Sequence, residues 1–356
     1  MAGDYKVDII VLTWNHKQII KDFVESFLAN TTVLCRLIII DNGSSDGTPE
    51  YLADLKGSST CDIKIVLNKE NKGFVGGMNQ GIELSDAQFV CLANNDLIFT
   101  RGWLEEIVSV FEKDARIGVL NPNSNNLGVK PSPGESLDDL ADELRKKYKG
   151  VFAEMPFCIG FCLCIRREVI EKVGGLSEEF HPIFFEDTDY SMKALKAGFI
   201  IGVAKAAYVW HKEHASFKQM GSKREEFFVK SRETFRKKWG KILRIAWVVN
   251  SAEELSAALN DAIKLARNGN YLWFLVKNLK SNAAEIFQKL NLFEHSGIKF
   301  IRYSNIFNLL WIILTKKKRY DLIITKNKFA SWFFPKMGYN VFKEFDEIRI
   351  NGVKKT

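Results

Sequence analysis

Short apolar runs alternate with amphipathic stretches along the first hundred residues. Helical patterns occupy 16–29, the stretch from Thr48 onward, and the stretch that ends near Ser85. The apolar runs between them have the length of single strands and cover residues 7–14, 34–41, 61–68 and 87–94. Because strands that alternate with helices build parallel sheets, this order predicts a mostly parallel sheet with helices on both faces.

Polar side chains stand where each of these strands ends. Thr13 and Asp41 end the first two strands, residues 68–77 follow the third, and residues 94–96 follow the fourth. A turn would by itself explain the sequence Asn-Asn-Asp at 94–96. Parallel sheets, however, bind ligands beyond the carboxyl ends of their strands. Four polar strand ends on one rim therefore predict a ligand crevice.

The third strand leads into the loop NKENKGFVGGMNQGI, which has glycines at positions 73, 76 and 77. The loop lacks the G-x-G-x-x-G order of a dinucleotide site and the Lys-Ser/Thr ending of a Walker-type phosphate loop. At the fourth strand end, the carboxylate of Asp96 suits a divalent ion that bridges a diphosphate. Asp41 could accept hydrogen bonds from a base or a ribose.

We expect the second half of the rim further along the chain, at FFEDTDY. Glu186, Asp187 and Asp189 open a predicted helix, where the helix dipole alone would favour acidic residues. Phe185 lies beside them and offers an aromatic surface on which a sugar could stack. His211 follows a strand that we expect to end near Val209, and it could bind a metal ion or a phosphate.

Six motifs follow one another in the order VLTWN, IIIDNGSSDGT, NKENKGFVGGMNQGI, LANNDLIF, FFEDTDY and VWHKEHAS. In this order they resemble the family 2 inverting glycosyltransferases of the GT-A fold. The resemblance is greatest to the bacterial branch that includes rhamnosyltransferases acting on cell-surface polysaccharides, and it covers roughly residues 5–240. It implies an enzyme that moves a sugar from a nucleoside-diphosphate sugar to a saccharide, in some relatives a lipid-linked saccharide at the cytoplasmic membrane face.

The resemblance also implies roles for individual residues. Asp187 matches the general base of the family, while Asp96 and His211 match positions that bind Mg²⁺ or Mn²⁺. Asn94 and Asn95 depart from the acidic form of the family's Asp-x-Asp motif, which leaves fewer charges to hold an ion without the donor. The implied donor-binding residues are Thr13, Asn15, Asp41, Asn71, Gly73, Phe74, Asn94, Asn95 and Asp96, and the implied acceptor or supporting residues are Glu186, Asp189 and Phe185.

Inverting transfer needs one carboxylate that takes the proton of the acceptor hydroxyl as it attacks the anomeric carbon. The leaving nucleoside diphosphate gains negative charge, which a divalent ion stabilises as a Lewis acid. We expect the start of a helix to keep Asp187 ionised at neutral pH, at the cost of weak basicity.

A second alternation of strands and helices begins near residue 242. The runs RIAWVVN, NYLWFLVK, GIKFIRYS, YDLIIT and YNVFKEF predict five short strands separated by helical patterns. We therefore expect a GT-A domain over 1–240 and a smaller Rossmann-like α/β domain over 241–356. Acceptor recognition, oligomer formation, docking to a partner or membrane, and a second catalytic activity are all open roles for it.

Composition adds limits to this interpretation. The 356-residue chain is 46% hydrophobic, typical of globular proteins, and no apolar run approaches the roughly 20 residues that span a bilayer. We see no signal-peptide pattern and expect a cytoplasmic protein. The six cysteines form no metal pattern, and those at 158, 162 and 164 lie in a strand-like run, so we expect buried free thiols.

The net charge of +8 is concentrated in the C-terminal half. Residues 223–244 hold nine Lys or Arg against three Glu, and KKKR at 316–319 follows the apolar run 307–315. Solvated helix faces would explain these charges. The alternative is contact with an anionic surface, either phospholipid or a lipid-linked pyrophosphate. We do not expect nucleic-acid binding, because zinc-finger spacing and an aromatic RNA-binding signature are both missing from the sequence.

Two other functions remain open from the sequence. A sugar nucleotidyltransferase would use a related sheet, but it would carry a Gly-rich loop with Arg and Lys after the first strand, where this chain has TWNHKQ. A non-catalytic carbohydrate-binding relative would keep the fold, but it would not need Asp96, Asp187 and His211 together.

Overall fold

The computed structural model describes residues 5–57, 60–212 and 223–343. They form two compact units, one within Met1–Phe152 and Phe157–Phe235, the other within Ala153–Pro156 and Arg236–Thr356. The assignment of separate functional domains to 1–240 and 241–356 stays a prediction. In the described ranges, no helix is both long and apolar enough to cross a membrane.

The first unit is built on a mixed sheet that alternates with helices. Its strands are β1 (Val7–Thr13), β2 (Cys35–Asp41), β3 (Cys61–Leu67), β4 (Phe89–Ala93), β5 (Leu97–Phe99), β6 (Ile117–Asn123), β8 (Cys162–Arg166) and β9 (Ile200–His211). Between β6 and β8, the short strand β7 (Phe152–Glu154) crosses from the first unit into the second. The helices are α1 (Lys17–Asn30), α2 (Thr48–Ala53), α3 (Gly73–Glu83), α4 (Trp103–Lys113), α5 (Leu137–Tyr148), α6 (Arg167–Val173), α7 (Glu186–Lys196) and α8 (Lys223–Trp239), the last of which runs into the second unit.

The strand order is β3-β2-β1-β4-β8-β6-β9-β5. The pairs β3–β2, β2–β1, β1–β4 and β6–β9 are parallel, whereas β8 is antiparallel to both neighbours and β5 is antiparallel to β9. The prediction of a mostly parallel sheet is therefore confirmed. The four strands that carry the predicted rim coincide with their sequence predictions to within about two residues at each end.

Helices cover both faces of this sheet. On one face α3, α6 and α7 pack on the strands through buried residues such as Met78, Val169 and Tyr190. On the other, Phe23 and Phe27 of α1 form an aromatic cluster with residues of β5 and α4. All six cysteines are buried free thiols, as predicted, although Cys158 precedes β8 and only the cysteines at 162 and 164 lie within it.

The second unit contains a fully parallel five-stranded sheet, as predicted. Its strands are β10 (Arg244–Val249), β11 (Tyr271–Lys277), β12 (Ile298–Tyr303), β13 (Leu322–Thr325) and β14 (Asn340–Phe342), in the order β12-β11-β10-β13-β14. The helices between them are α9 (Ala252–Arg267), α10 (Ala283–Lys289), α11 (Ile306–Leu314) and α12 (Lys328–Lys336). One face of the sheet is covered by α9 and α10, and the other by α11 and α12.

Candidate active site

Three of the predicted polar strand ends meet at one edge of the first sheet. Thr13 is in register with Asp41 across β1 and β2, and Asp41 is in register with Leu67 of β3. Beyond the strands, the N–H of Asn42 donates to the carbonyl of Thr13 at 2.8 Å, and the N–H of Asn68 donates to that of Asp41 at 2.8 Å. The strand ends are thus joined into a continuous rim.

The carboxylate of Asp41 is held in place by the loop that follows it. Its Oδ2 accepts the N–H of Ser44 at 3.0 Å, and its Oδ1 accepts the hydroxyl of the same residue. That hydroxyl accepts the N–H of Asn15 at 2.7 Å. Asp41 is buried, so this network fixes a carboxylate at the rim with acceptor capacity to spare.

Asn71 and Gly73 continue the rim at the start of α3. The Oδ1 of Asn71 accepts the N–H of Gly73 at 2.8 Å and the Nδ2–H of Asn42 at 3.1 Å. Gly73 has a φ of 71°, and a Cβ at this position would lie 2.5 Å from the ring of His181. Two constraints therefore require glycine at this position. The backbone is left-handed, and the loop that precedes α7 lies too close for a side chain.

Asp96, directly before β5, and His211 of β9 form a close pair. The Oδ1 of Asp96 lies 2.9 Å from the Nε2 of His211, and both side chains are largely buried. The Nδ2 of Asn94 lies 3.4 Å from the same Nε2. His211 is the last residue of β9, paired with Leu97, so the expectation that it follows the strand end is corrected. Of the surrounding motif, residues 213–216 lie outside the described part of the chain.

Two asparagines that the sequence did not single out orient His211. Asn125 exchanges two hydrogen bonds with the main chain of His211, both at 2.9 Å. The Oδ1 of Asn126 lies 2.8 Å from the ring Nδ1. A proton donated from Nδ1 to this oxygen leaves the lone pair of Nε2 directed at Asp96. A hydrogen bond of this kind from the other ring nitrogen is typical of a histidine that binds metal.

The side chains of Asp96 and His211 fit as ligands of a divalent ion that is shared with a diphosphate. Two acceptors as close as Asp96 Oδ1 and His211 Nε2 need a proton or a cation between them. Among the described residues, no group of three or more His, Cys, Asp or Glu side chains is placed to hold a metal ion. An ion at this pair would therefore take its other ligands from phosphate oxygens and water, as Mg²⁺ commonly does.

Asp187 lies in the first turn of α7, where the sequence predicted it. Its Oδ1 accepts both the N–H of Thr188 at 2.6 Å and the hydroxyl of Thr188 at 3.0 Å. Within the described ranges, its Oδ2 accepts one hydrogen bond, from the N–H of Gly160 at 2.7 Å. Because a carboxylate oxygen can accept two hydrogen bonds, Oδ2 keeps an acceptor position for a further proton donor.

The basicity of Asp187 differs from the expectation of a weak base. Desolvation raises the pKa of Asp187 above its ordinary value, and the hydrogen bonds from Gly160 and Thr188 only partly oppose it. A raised pKa makes the carboxylate a stronger base. The rise in pKa caused by desolvation therefore exceeds the lowering that the sequence analysis expected from the start of the helix.

Glu186 supplies a second carboxyl group beside Asp187. Burial, and then repulsion from Asp187, raise the pKa of Glu186 to about 8. Its Oε2 is buried and finds no hydrogen-bond partner in the described structure. Together with Phe74, Leu92 and Gly160, the two acids line a small cavity. Phe74, for which the resemblance implies a donor-binding role, thus lies beside both carboxyl groups.

Gly160 and Phe161 connect Asp187 to the Asp96–His211 pair. The N–H of Gly160 donates to Asp187, and a Cβ at this glycine would lie 3.3 Å from Oδ2. The carbonyl of the next residue, Phe161, accepts the N–H of Asn94 at 2.9 Å, and its ring stacks on His211 with centroids 5.9 Å apart. Two adjacent residues therefore touch both halves of the predicted site.

Asp189 and Phe185 lie near Asp187 and contact other side chains of the protein. The Oδ2 of Asp189 accepts the hydroxyl of Ser177 at 2.6 Å, and Asp189 is fully buried. The ring of Phe185 packs against Phe228 and Phe235 of α8, with centroids 5.5 and 5.4 Å away. We now expect Phe185 to position the loop before α7 and not to offer an open face to a sugar. Asn95 has an intermediate exposure at the rim.

The backbone before α7 is strained. Phe184 and Phe185 have φ angles of 78° and 69°, a left-handed conformation that costs non-glycine residues of order 1–3 kcal/mol each. Such strain persists where surrounding contacts enforce it, and it is common at functional sites. The aromatic cluster with α8 supplies those contacts, so it helps to hold Glu186 and Asp187 at the helix start.

Comparisons with known proteins match part of the chain to a described family. Residues 8–174 match the family described as glycosyl transferase family 2. An uncharacterized protein of Sinorhizobium fredii is 27% identical over 238 residues, which cover 61% of this chain and 25% of that protein. An uncharacterized glycosyltransferase of Haemophilus influenzae is 32% identical over 113 residues, which cover 31% of this chain and 34% of that protein. The chain thus spans between a quarter and about a third of the length of these relatives.

A solved structure shares the fold. The crystal structure of GalNAc-T7 with UDP, GalNAc and Mn²⁺ aligns with a TM-score of 0.50 at 16% identity, over 65% of this chain and 48% of that chain. This likeness, together with the sheet described above, confirms the predicted GT-A type of fold. For residues 8–174, the family match confirms the predicted enzyme class, a glycosyltransferase.

Proposed function

We propose that the protein transfers a sugar from a nucleoside-diphosphate sugar to a saccharide acceptor with inversion at the anomeric carbon. One observation carries this proposal. Gly160 and Phe161 link a carboxylate with a free acceptor position, Asp187, to a carboxylate–imidazole pair suited to a cation and a diphosphate. A base on one side and a leaving-group site on the other are what an inverting displacement requires.

The donor would lie along the rim of the first sheet. Thr13, Asn15, Asp41 and Asn71 would contact the nucleoside, because their hydrogen-bonding groups line the joined strand ends. The diphosphate would lie at Asp96 and His211, next to Asn94. Mg²⁺ or Mn²⁺ held by Asp96 and His211 would stabilise the charge that develops on the departing diphosphate.

Asp187 would carry out the proton transfer. As the acceptor oxygen forms its bond to the anomeric carbon, its proton passes to Oδ2 of Asp187. The bond from that carbon to the diphosphate oxygen breaks, and its electron pair leaves with the nucleoside diphosphate. Gly160 and Thr188 hold the carboxylate in position throughout, since their three hydrogen bonds do not involve the reacting lone pair.

The sugar and the acceptor are proposed from the motif order alone. That order supports an enzyme like the rhamnosyltransferases of bacterial cell-surface polysaccharides, with a hexose or deoxyhexose as the transferred group. The acceptor would be a saccharide, in lipid-linked form at the cytoplasmic face of a membrane. The second unit would then serve acceptor recognition, assembly or membrane contact.

Donor binding can be tested by thermal unfolding of the full chain with Mn²⁺ and a panel of UDP-, GDP- and dTDP-sugars. We expect at least one of these donors to raise the melting temperature of the wild type, because a ligand that binds only the folded state stabilises it. Asp41→Asn should lose much of this shift, since Asp41 lies at the rim. The matched control Asp54→Asn, at the exposed end of α2, should keep it.

Two outcomes would count against the proposed donor site. One is that no sugar nucleotide shifts the melting temperature of the wild type. The other is a shift of equal size in a folded Asp41→Asn variant.

A further inference from the structure

Two helices of the second unit expose large apolar side chains in regular stripes. In α11 the side chains of Phe307 and Trp311 are 79% and 69% exposed, and Leu314 follows on the same side at helical spacing. In α12, Phe329 and Trp332 repeat the pattern. Single exposed apolar residues are ordinary, but stripes of them on two helices call for a partner surface.

Both stripes lie on the same side of the second sheet. The inward residues of α11, Leu309 and Ile313, and those of α12, Ala330 and Phe334, belong to one buried cluster on one face of that sheet. α11 connects β12 to β13, α12 connects β13 to β14, and both helices pack on this face through the same buried cluster. Their outward stripes therefore make up an apolar surface on one side of the unit.

The charge around this surface is strongly one-sided. Residues 304–343 contain eight Lys or Arg and one acidic residue, Asp321. Asp321 already forms an ion pair with Lys241, at 2.5 Å. Three of the lysines, at 326, 328 and 343, line one open depression together with Ser331 and Trp332. Exposed aromatic residues and lysines are thus interleaved.

The KKKR run is less uniform than its sequence indicates. Lys316 lies over the rings of Trp273 and Tyr320, and Arg319 lies over Tyr339, 4.0 Å from its centroid. Arg319 also donates to the carbonyl of Met337. Lys316 and Arg319 therefore support the unit itself, and replacing all four residues would disturb its packing. The exposed lysines at 317 and 318 are the ones that can be removed cleanly.

We propose that this aromatic–basic face, formed by α11, α12 and the flanking lysines, docks on an anionic lipid bilayer. Aromatic side chains enter the boundary between headgroups and acyl chains, while lysines attract anionic headgroups. The complementary charge selects an anionic membrane over a neutral surface. The inference deepens the proposed function, because the face would bring the enzyme to a lipid-linked acceptor, but it stands on the second unit's own residues.

Co-sedimentation of the full chain with vesicles tests this inference. We expect binding to phosphatidylcholine vesicles that contain phosphatidylglycerol, weak binding to phosphatidylcholine alone, and loss of binding at high salt. Lys317→Gln/Lys318→Gln should weaken binding about 25-fold, because each lysine contributes about fivefold near an anionic surface. The matched control Lys146→Gln/Lys149→Gln, at the exposed end of α5, removes the same charge and should bind like the wild type.

The apolar contribution needs its own variant. Trp311→Ser/Trp332→Ser should weaken binding by at least about a hundredfold, because each buried aromatic contributes on the order of one to two powers of ten. Leu34→Ser, an exposed position in the first unit, should leave binding unchanged. Since every substituted side chain is exposed, thermal unfolding should confirm that all variants fold.

Three results would overturn the inference: no vesicle binding at low salt, binding indifferent to both double variants, or a single-stranded oligonucleotide that binds the face more tightly than the vesicles do. Donor-dependent thermal stabilisation should be the same in every variant, because the donor rim belongs to the first unit. A protein that binds sugar nucleotides but not vesicles would therefore refute the docking face alone, and the converse would refute the transferase proposal alone.

Discussion

Asp187→Asn should lower turnover by about two to four orders of magnitude and change donor affinity little. The substitution keeps the shape of the side chain but removes the acceptor at Oδ2 that would take the proton. An amide cannot accept from both Gly160 and Thr188, so some stability should also be lost. Single-turnover kinetics on a variant shown to be folded, with donor affinity measured separately, would separate these effects.

Asp189→Asn is the matched control for this prediction. Asp189 is in the same helical turn, but its carboxylate accepts a hydrogen bond from Ser177, so its replacement should reduce stability more than it reduces turnover. A dead Asp189→Asn combined with an active Asp187→Asn would show that the two roles are exchanged.

The pH dependence of turnover follows from the raised pKa of Asp187. A base must be ionised to act, so turnover should fall as the pH is lowered through that pKa. Because the pKa is raised by burial, this fall should begin at a higher pH than it would for an exposed aspartate. The acid limb of the profile should be absent from the residual activity of Asp187→Asn.

Asp96→Ala should abolish measurable turnover and remove the metal-dependent part of donor binding. Asp96 is the carboxylate of the pair with His211, and no third acidic, histidine or cysteine side chain joins that pair among the described residues. Titration of Mn²⁺ in the presence of the nucleoside diphosphate, by calorimetry, would measure the loss directly. Full activity of either the wild type or the variant in excess EDTA would contradict a metal-dependent reaction.

Asn126→Ala refines this test without touching a proposed ligand. Its side-chain oxygen fixes the ring of His211 through Nδ1. Loss of a hydrogen bond that orients a metal ligand typically costs about 10–100-fold in metal affinity. An unchanged Mn²⁺ affinity would indicate that His211 is not a ligand.

The sequence was sufficient to predict the rim, because each polar strand end is visible in a short local stretch of residues. A buried strand must end in groups that water or ligand can satisfy, and Thr13, Asp41 and Asn94 each follow an apolar run. The register of parallel strands then places these ends on one edge. The alternation of apolar runs and helical patterns likewise predicted the five short strands of the second unit.

The sequence could not reveal the contacts that assemble the two halves of the site. Gly160 acts through a backbone N–H on a residue 27 positions away, and Asn125 and Asn126 act on His211 across about 85 positions. Main-chain donors leave no pattern in a sequence. The asparagines at 125 and 126 stand next to each other in the sequence, but only the fold shows that they contact His211.

Burial was the other quantity that the sequence concealed. The helix start predicted a weak base at Asp187, but desolvation reverses the direction of the shift. In the same way, KKKR reads as four equivalent charges, whereas two of them pack on aromatic rings of their own unit. Which face of the apolar run 307–315 is exposed also required the helix axis and the sheet beneath it.

The stereochemistry of the product tests inverting sugar transfer most directly. The full chain would be incubated with Mn²⁺ and the donor that stabilises it best, and the anomeric configuration of the first product would be read by proton NMR before it equilibrates. We expect a nucleoside diphosphate to be released and the new bond, to an acceptor or to water, to have the opposite configuration from the donor. Retained configuration would contradict the role of Asp187, and formation of a nucleoside triphosphate from donor and pyrophosphate would identify a nucleotidyltransferase instead.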